Sequence, residues 1–317
     1  MPVPHIICLG VATLDQIFEI DELPAFPAKT TAQRFVVTGG GMASNAAVAV
    51  QRLGGHASYW GRVGTDLVGD QVIELMRRES VDVSCIHRVP NSATKANAVL
   101  IDGRGERLVI RAPTIGYPDD ISWLPLDKVQ AADAVHADSR WPSGALAIFD
   151  AAARFGKPSI FDGDTGETAP MLQCSRAATH PVFGETLFLQ LGLGDVQEGL
   201  PKLFGGRNRM CGVTCGGKGF YWFDGQTLHH TPTPQVKVID TLGAGDTFHG
   251  AYALAIAEGQ PPGEAARFAS AVAALKCTRF GGREGIPKRA EVDAFLGEGA
   301  SPQSSYFSAS GSVASSS

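Results

Sequence analysis

A chain of 317 residues that is 44% hydrophobic can bury a large core, as one substantial domain or one domain with a small appendage. Its formal net charge of −5 and pI near 5.9, with basic residues scattered rather than blocked, argue against a surface for nucleic acid or anionic membrane, so small molecules are the expected partners. The six cysteines include no Cys-x-x-Cys pair, and no apolar run reaches the roughly 20 residues of a membrane span; reduced thiols, no signal peptide and a cytoplasmic location are expected.

Residues 5–11 form a short apolar run ending near Gly10, which predicts a buried parallel strand opening an α/β domain. Asp15 follows just past it. There an Asp is either a turn former or a ligand contact, because ligands of open α/β sheets lie outside the carboxyl ends of the strands. Residues 16–19 and 30–37 alternate in strand fashion around a Pro-containing segment, predicting an added hairpin rather than a crossover helix. Thr38-Gly39-Gly40-Gly41-Met42-Ala43-Ser44-Asn45 then leads into a helix over 46–53. Its glycines allow a ligand close to the backbone, and Ser44 or Asn45 can cap the helix or bond a hydroxyl; the alternative is a tight turn with a cap. A strand at 57–61 and a helix ending at Arg78 continue the rhythm of a doubly wound sheet.

Residues 95–101 and 106–112 alternate about Asp102-Gly103-Arg104-Gly105, a strong hairpin pattern. The two inserted strand pairs, from about 12–38 and 92–113, are expected to join as a small β-sheet lid over the strand ends. The α/β rhythm resumes with a strand at 134–137, a helix at 143–155, a strand at 159–162 and, after a less regular stretch, a strand at 210–214. Cys215-Gly216-Gly217-Lys218-Gly219 before Phe220 is either a plain hairpin turn or a loop along nucleotide phosphates, and its spacing excludes a P-loop. Helices are expected over 264–275 and 289–296. A domain over 1–298 is followed by Ser-, Gly- and Ala-rich residues 299–317, which read as a disordered tail.

The chemistry concentrates in Asp240-Thr241-Leu242-Gly243-Ala244-Gly245-Asp246-Thr247-Phe248. Two glycines and an alanine stand where a strand-like run (Val236, Val238, Ile239) gives way to an apolar helix over 248–257, so unhindered N–H groups gather at a helix N-terminus and favour an anion. Asp246 in the first turn is either a cap or a general base beside a transferring phosphoryl group.

Together, the stretch 39–45 and this late motif resemble the ribokinase-like (PfkB) carbohydrate kinases, over about residues 5–296. The resemblance implies a doubly wound, mostly parallel α/β sheet with a small lid, and ATP-dependent transfer of a phosphoryl group to a sugar hydroxyl. It implies Asp246 as catalytic base, and Gly243, Ala244 and Gly245, with the Asp246 N–H, as the anion hole. Asp15, Gly40, Gly41 and Asn45 match positions at sugar hydroxyls; Thr214, Gly216 and Gly219 match the nucleotide loop, and Cys277 flanks the adenine. Mg2+ is implied with the ATP. Val182-Phe183-Gly184-Glu185 keeps only the Glu of the family's Asn-x-x-Glu motif, so Glu185 is expected to act through metal-bound water. Leu242 stands where many relatives place a hydroxyl residue beside a monovalent-cation site, which leaves a monovalent cation an open requirement. Related kinases pair through their lids, so a homodimer is expected.

Within the family, Ala137-Asp138-Ser139-Arg140-Trp141, Asp162-Gly163-Asp164, Arg267-Phe268-Ala269-Ser270 and Gly282-Arg283-Glu284-Gly285-Ile286-Pro287 are most similar to kinases that phosphorylate C1 of 6-deoxy-6-sulfofructose. A sulfonate at the sugar's far end needs cationic donors. Lys29 and Arg111 fall in the two lid insertions and Arg140 follows a core strand; each is alternatively a solvated surface charge. The competing functions are a kinase of a neutral sugar or nucleoside, such as fructose or ribose, and a catalytically silent sugar or nucleotide sensor on the same fold.

Overall fold

The computed structural model describes residues 2–24, 29–104, 106–113, 116–164 and 166–299. Gly105 and, from residue 300, the tail expected over 299–317 lie outside the described residues. The strands are β1 (His5–Gly10), the hairpin β2 (Thr13–Glu19) and β3 (Arg34–Gly40), then β4 (His56–Gly64) and β5 (Asp82–Val89), a second hairpin of β6 (Ala96–Ile101) and β7 (Arg107–Arg111), and β8 (Ala134–Asp138), β9 (Ser159–Gly163), β10 (His180–Gly184), β11 (Cys211–Thr214), β12 (Phe220–Phe223) and β13 (Leu228–Thr231). The main sheet runs β13-β12-β11-β10-β9-β8-β1-β4-β5, parallel from β11 to β5 and antiparallel at β12 and β13. Against it lie helices α1 (Met42–Arg52), α2 (Leu67–Arg78), α3 (Pro142–Arg154), α4 (Thr168–Ala177), α5 (Glu185–Gln190), α6 (Val196–Leu203), α7 (Ala244–Ala257), α8 (Pro262–Cys277) and α9 (Arg289–Gly299).

The unbroken apolar run of β1 has a simple cause. Ile6 and Cys8 are buried with the Ala-rich α1, α7 and α8, while Ile7 and Leu9 are buried on the other face with Phe149 of α3 and Phe161. A strand covered on both faces carries no polar alternation. Chain order reverses between β1 and β8, because β4 and β5 add on one side and β9 to β11 on the other. That switch point opens a crevice beyond the carboxyl ends of β1 and β8, where Asp138 and Arg140 emerge.

The two hairpins join as a second sheet of order β3-β2-β6-β7, with β2 and β6 parallel and Asp15 opposite Asn97. One face buries Ile17, Val99 and Ile101 against Leu242 and Phe280. Apolar contact with the 240–245 loop thus seats this sheet over the crevice.

Several local expectations shift. Helix α1 begins at Met42, four residues earlier than the pattern indicates, and Ser44 and Asn45 are buried inside it rather than capping it. Its N-terminus is served from far away: Asp138 Oδ2 accepts from Ala43 N at 3.1 Å and from Val11 N at 2.7 Å. Gly41 stands at the cap position with φ 95°, where a Cβ would come within 2.5 Å of the Val11 carbonyl. β3 covers 34–40 rather than 30–37, and so takes in Gly39 and Gly40. Residues 236–239 form no strand, since β13 already ends the sheet; Val238 and Ile239 are exposed, and Ile239 N bonds the Cys277 carbonyl at 2.8 Å. β5 was not expected at all, because its exposed edge mixes Asp82, Ser84 and His87 with its apolar residues and hides the alternation.

Candidate active site

Helix α7 is preceded at its cap position by Gly243 in the left-handed region, φ 75°, a conformation that favours glycine and turns the loop into the helix. Ala244 N donates to the Thr241 carbonyl at 3.2 Å and Thr247 N to the Gly243 carbonyl at 3.0 Å. Among the described residues, the N–H groups of Gly243, Gly245 and Asp246 have no internal acceptor and remain for an anion. Ala244, expected in the same hole, uses its N–H to close the turn.

Asp246 is half-buried, and desolvation raises its carboxyl to about pKa 6. The Asn45 bond opposes that rise, while Asp164, Asp138 and Asp15 add to it. Asn45 Nδ2 donates to Asp246 Oδ2 at 2.8 Å; on its other side, Asn45 Oδ1 accepts from Arg283 Nε at 3.1 Å. A guanidinium only donates, so Arg283 fixes which end of the amide faces Asp246. Arg283 also donates to Ser44 Oγ at 2.5 Å, and burial lowers its pKa to about 10. Gly39 exists for this side chain, since a Cβ there would stand 2.1 Å from Arg283 Nη1.

Asp246 opens onto a cavity of about 410 Å³ that also reaches Asp15, Gly41, Asn45, Lys95, Asn97, Arg107, Arg111, Arg140, Asp162, Asp164 and His249. Asp15 Oδ1 accepts from Thr13 Oγ1 at 2.8 Å and from Asn97 Nδ2 at 2.7 Å; burial raises its carboxyl, and these bonds pull it back. Gly40 is glycine because a Cβ would lie 2.0 Å from Asp15 Oδ2. Asp15, Gly41, Asn45, Arg111 and Arg140 are therefore brought together as the sequence suggested, with Gly40 packed against Asp15. Lys29 is exposed and does not line this cavity.

The sequence reading missed Lys95, Asn97 and Arg283. Lys95 immediately precedes β6 and Asn97 lies within it, opposite Asp15 of β2, a pairing that only the sheet register reveals. The Lys95 ammonium is held below its ordinary range by burial and by its neighbours Arg140, Arg62 and Arg111. Arg140 lies 3.7 Å from Asp164 Oδ2.

A second cavity, of about 250 Å³, shares Thr214, Thr241 and Gly245 with the first and continues past Gly216, Gly217, Gly219, Phe248, Ala274 and Cys277. Residues 233–238, expected to be partly strand, instead form one wall. Thr233 Oγ1 donates to the Gly216 carbonyl at 2.7 Å, and Gly219 (φ 102°) lets the loop pass where a Cβ would approach the Thr231 carbonyl to 2.4 Å. Thr214, Gly216, Gly219 and Cys277 are thus gathered around one space that meets the first at the α7 N-terminus. Glu185, at the start of α5, is paired with Lys218 Nζ at 2.8 Å and lines neither cavity.

Two joined cavities meeting at open helix N–H groups, beside a carboxyl poised near neutrality, suit transfer of an anionic group between two ligands. Residues 3–289 match the model of the pfkB family carbohydrate kinases. The chain belongs to that family. It is 26% identical over 308 residues to a ribokinase of Bacillus subtilis, covering 92% of this chain and 99% of the relative. Among solved structures it is similar to a candidate ribokinase from Agrobacterium tumefaciens (36% identity, TM-score 0.91, 95% and 100% of the two chains). It is also similar to Arabidopsis thaliana ribokinase complexed with ribose and ATP (25% identity, TM-score 0.79, 93% and 99%). This pfkB kinase is an ATP-dependent carbohydrate kinase, and the silent-sensor reading falls away. Among the described residues, no helix is long and apolar enough to cross a membrane.

Proposed function

We propose that this kinase transfers the γ-phosphoryl group of ATP to the C1 hydroxyl of 6-deoxy-6-sulfofructose, giving 6-deoxy-6-sulfofructose 1-phosphate. The observation that supports this substrate is the convergence of Lys95, Arg111 and Arg140 on the cavity that holds Asp246 and Asp15. A neutral sugar offers such a cluster no anion, whereas a sulfonate accepts from planar guanidinium forks and an ammonium at once. Asp15 and Asn97 hold sugar hydroxyls, and Asp246 takes the proton from the attacking one. The N–H groups of Gly243, Gly245 and Asp246 meet the charge on the phosphoryl group in flight. Thr214, Gly216 and Gly219 follow the ATP phosphates, with the adenine beside Cys277.

The donors present fit a hard cation arriving with ATP. Asp162 Oδ2 is buried without a hydrogen bond, 3.3 Å from His249 Nδ1, and Asp164 lines the same cavity. Asp162 and Asp164, with Glu185 through water once released from Lys218, would hold Mg2+, which neutralises phosphate charge.

ADP release measured with sulfofructose, fructose, fructose 6-phosphate and ribose tests the substrate. Sulfofructose is expected to lead in kcat/KM, and Arg140→Ala to lower that value by about 10- to 100-fold, the range of a hydrogen bond between charged groups, while sparing fructose. A neutral sugar preferred by the wild type, and undiminished by Arg140→Ala, sinks the proposal.

The small sheet also supports a homodimer. Its outer face carries cross-strand rows, Phe35-Phe18-Leu100-Leu108 and Val37-Gln16-Ala98-Ile110, and Phe35, Val37, Leu108 and Ile110 are 44–57% exposed. A second copy offers the same face, so a two-fold pairing covers both at once. Light scattering at micromolar concentration is expected to show a dimer that Ile110→Asp converts to monomer. A monomeric wild type refutes the pairing.

A further inference from the structure

The family resemblance raises a monovalent cation beside Leu242, and the residues present do not fit one. Lys276, near the end of α8, is fully buried, and its Nζ donates to the Asp240 carbonyl at 2.8 Å and lies 3.4 Å from Asp240 Oδ2. Asp240 heads the loop that carries the anion hole. Its carboxylate ties this loop to the 281–282 turn, accepting from Leu242 N at 2.8 Å, Gly281 N at 2.9 Å and Gly282 N at 3.1 Å. Gly285 packs against the same helix end, where a Cβ would meet the Lys276 carbonyl at 2.9 Å, the Arg279 carbonyl at 3.2 Å and Lys276 Cε at 3.3 Å. A carbonyl and a carboxylate facing a buried positive charge are the surroundings a bound alkali ion would have, and here a tethered ammonium occupies them. A second cation would meet oxygens already engaged and a like charge at close range.

We propose that the Lys276 ammonium is this kinase's resident monovalent cation, a positioning group that fixes the 240–245 loop and frees turnover from added K+ or Na+. It holds the loop from below while the N–H groups of Gly245 and Asp246 face the ligand from above. The consequence is independent of which sugar the enzyme takes.

The full-length enzyme is assayed for ADP release, with saturating sugar and Mg-ATP, in chlorides of K+, Na+ and tetramethylammonium at one ionic strength. Wild-type rates within about threefold of one another support the assignment, and a larger stimulation by K+ overturns it. Lys276→Met is expected to lose about tenfold or more in tetramethylammonium and to regain part of it with K+ or methylammonium, ions small enough to enter the vacated place. Its thermal midpoint is expected to rise in KCl over tetramethylammonium chloride, while that of the wild type does not. A variant fully active without K+, or folded and inactive in every salt, overturns the assignment. If the variant does not fold, the wild-type comparison decides alone.

Discussion

Asp246→Asn is expected to lower kcat by about 10²- to 10⁴-fold, the usual contribution of a positioned general base, with KM for both substrates nearly unchanged. Asn keeps the shape and still reaches Asn45, but it cannot take the hydroxyl proton. In the wild type, kcat/KM is expected to fall about tenfold per pH unit below about pH 6, where the carboxyl protonates, and to level off above it. The stability effect has the opposite sense. A carboxyl whose pKa rises on folding binds its proton more tightly in the native state, so its contribution is most favourable at low pH and is lost as pH climbs from the ordinary carboxylate range through about 6. Asp246→Asn removes that penalty, and urea unfolding at pH 8 is expected to show a variant at least as stable as the wild type. Substantial remaining turnover would remove Asp246 as the base.

Arg283→Ala is expected to cost about 2–4 kcal/mol of unfolding free energy, from the cavity left and from Ser44 Oγ and Asn45 Oδ1 losing their donor. It should also lower kcat/KM by about tenfold, because Asn45 then turns freely and no longer presents Nδ2 to Asp246 at 2.8 Å. Arg52 adds to the same structure: its Nη1 donates to the Arg283 carbonyl at 2.9 Å and the Ile286 carbonyl at 3.0 Å, holding the turn that delivers the guanidinium. Urea titration and steady-state kinetics on one preparation separate the two effects. A destabilised variant with wild-type kcat/KM would leave Arg283 a purely structural role.

Much of the fold was legible because its causes are local. The apolar β1, the Asp102-Gly103 hairpin and the alternating β6 and β7 each carry their pattern within a few residues, and Gly243 to Asp246 carries its anion site in one turn. Where the reading slipped, a distant group had overruled a local preference. Helix α1 begins early because Asp138, nearly a hundred residues on, accepts from the N–H of Ala43 in its first turn. Residues 236–239 are β-prone yet form no strand, since the sheet was already closed by β13, and Val236 and Val238 serve instead as part of a cavity wall.

The same division holds for the site. Sequence by itself determined the family and the doubly wound architecture, and it supplied the proposed phosphoryl-transfer loop, since glycine spacing and a fixed Asp are short-range necessities of holding an anion at a helix end. Only the tertiary structure decided what surrounds that loop. It joined Lys95 to Arg111 and Arg140, left Lys29 outside the cavity, ran Arg283 through Asn45 to Asp246, and set the Lys276 ammonium against Asp240. Charges from separate elements become a site only when packing removes water from between them, and no spacing along the chain encodes that distance.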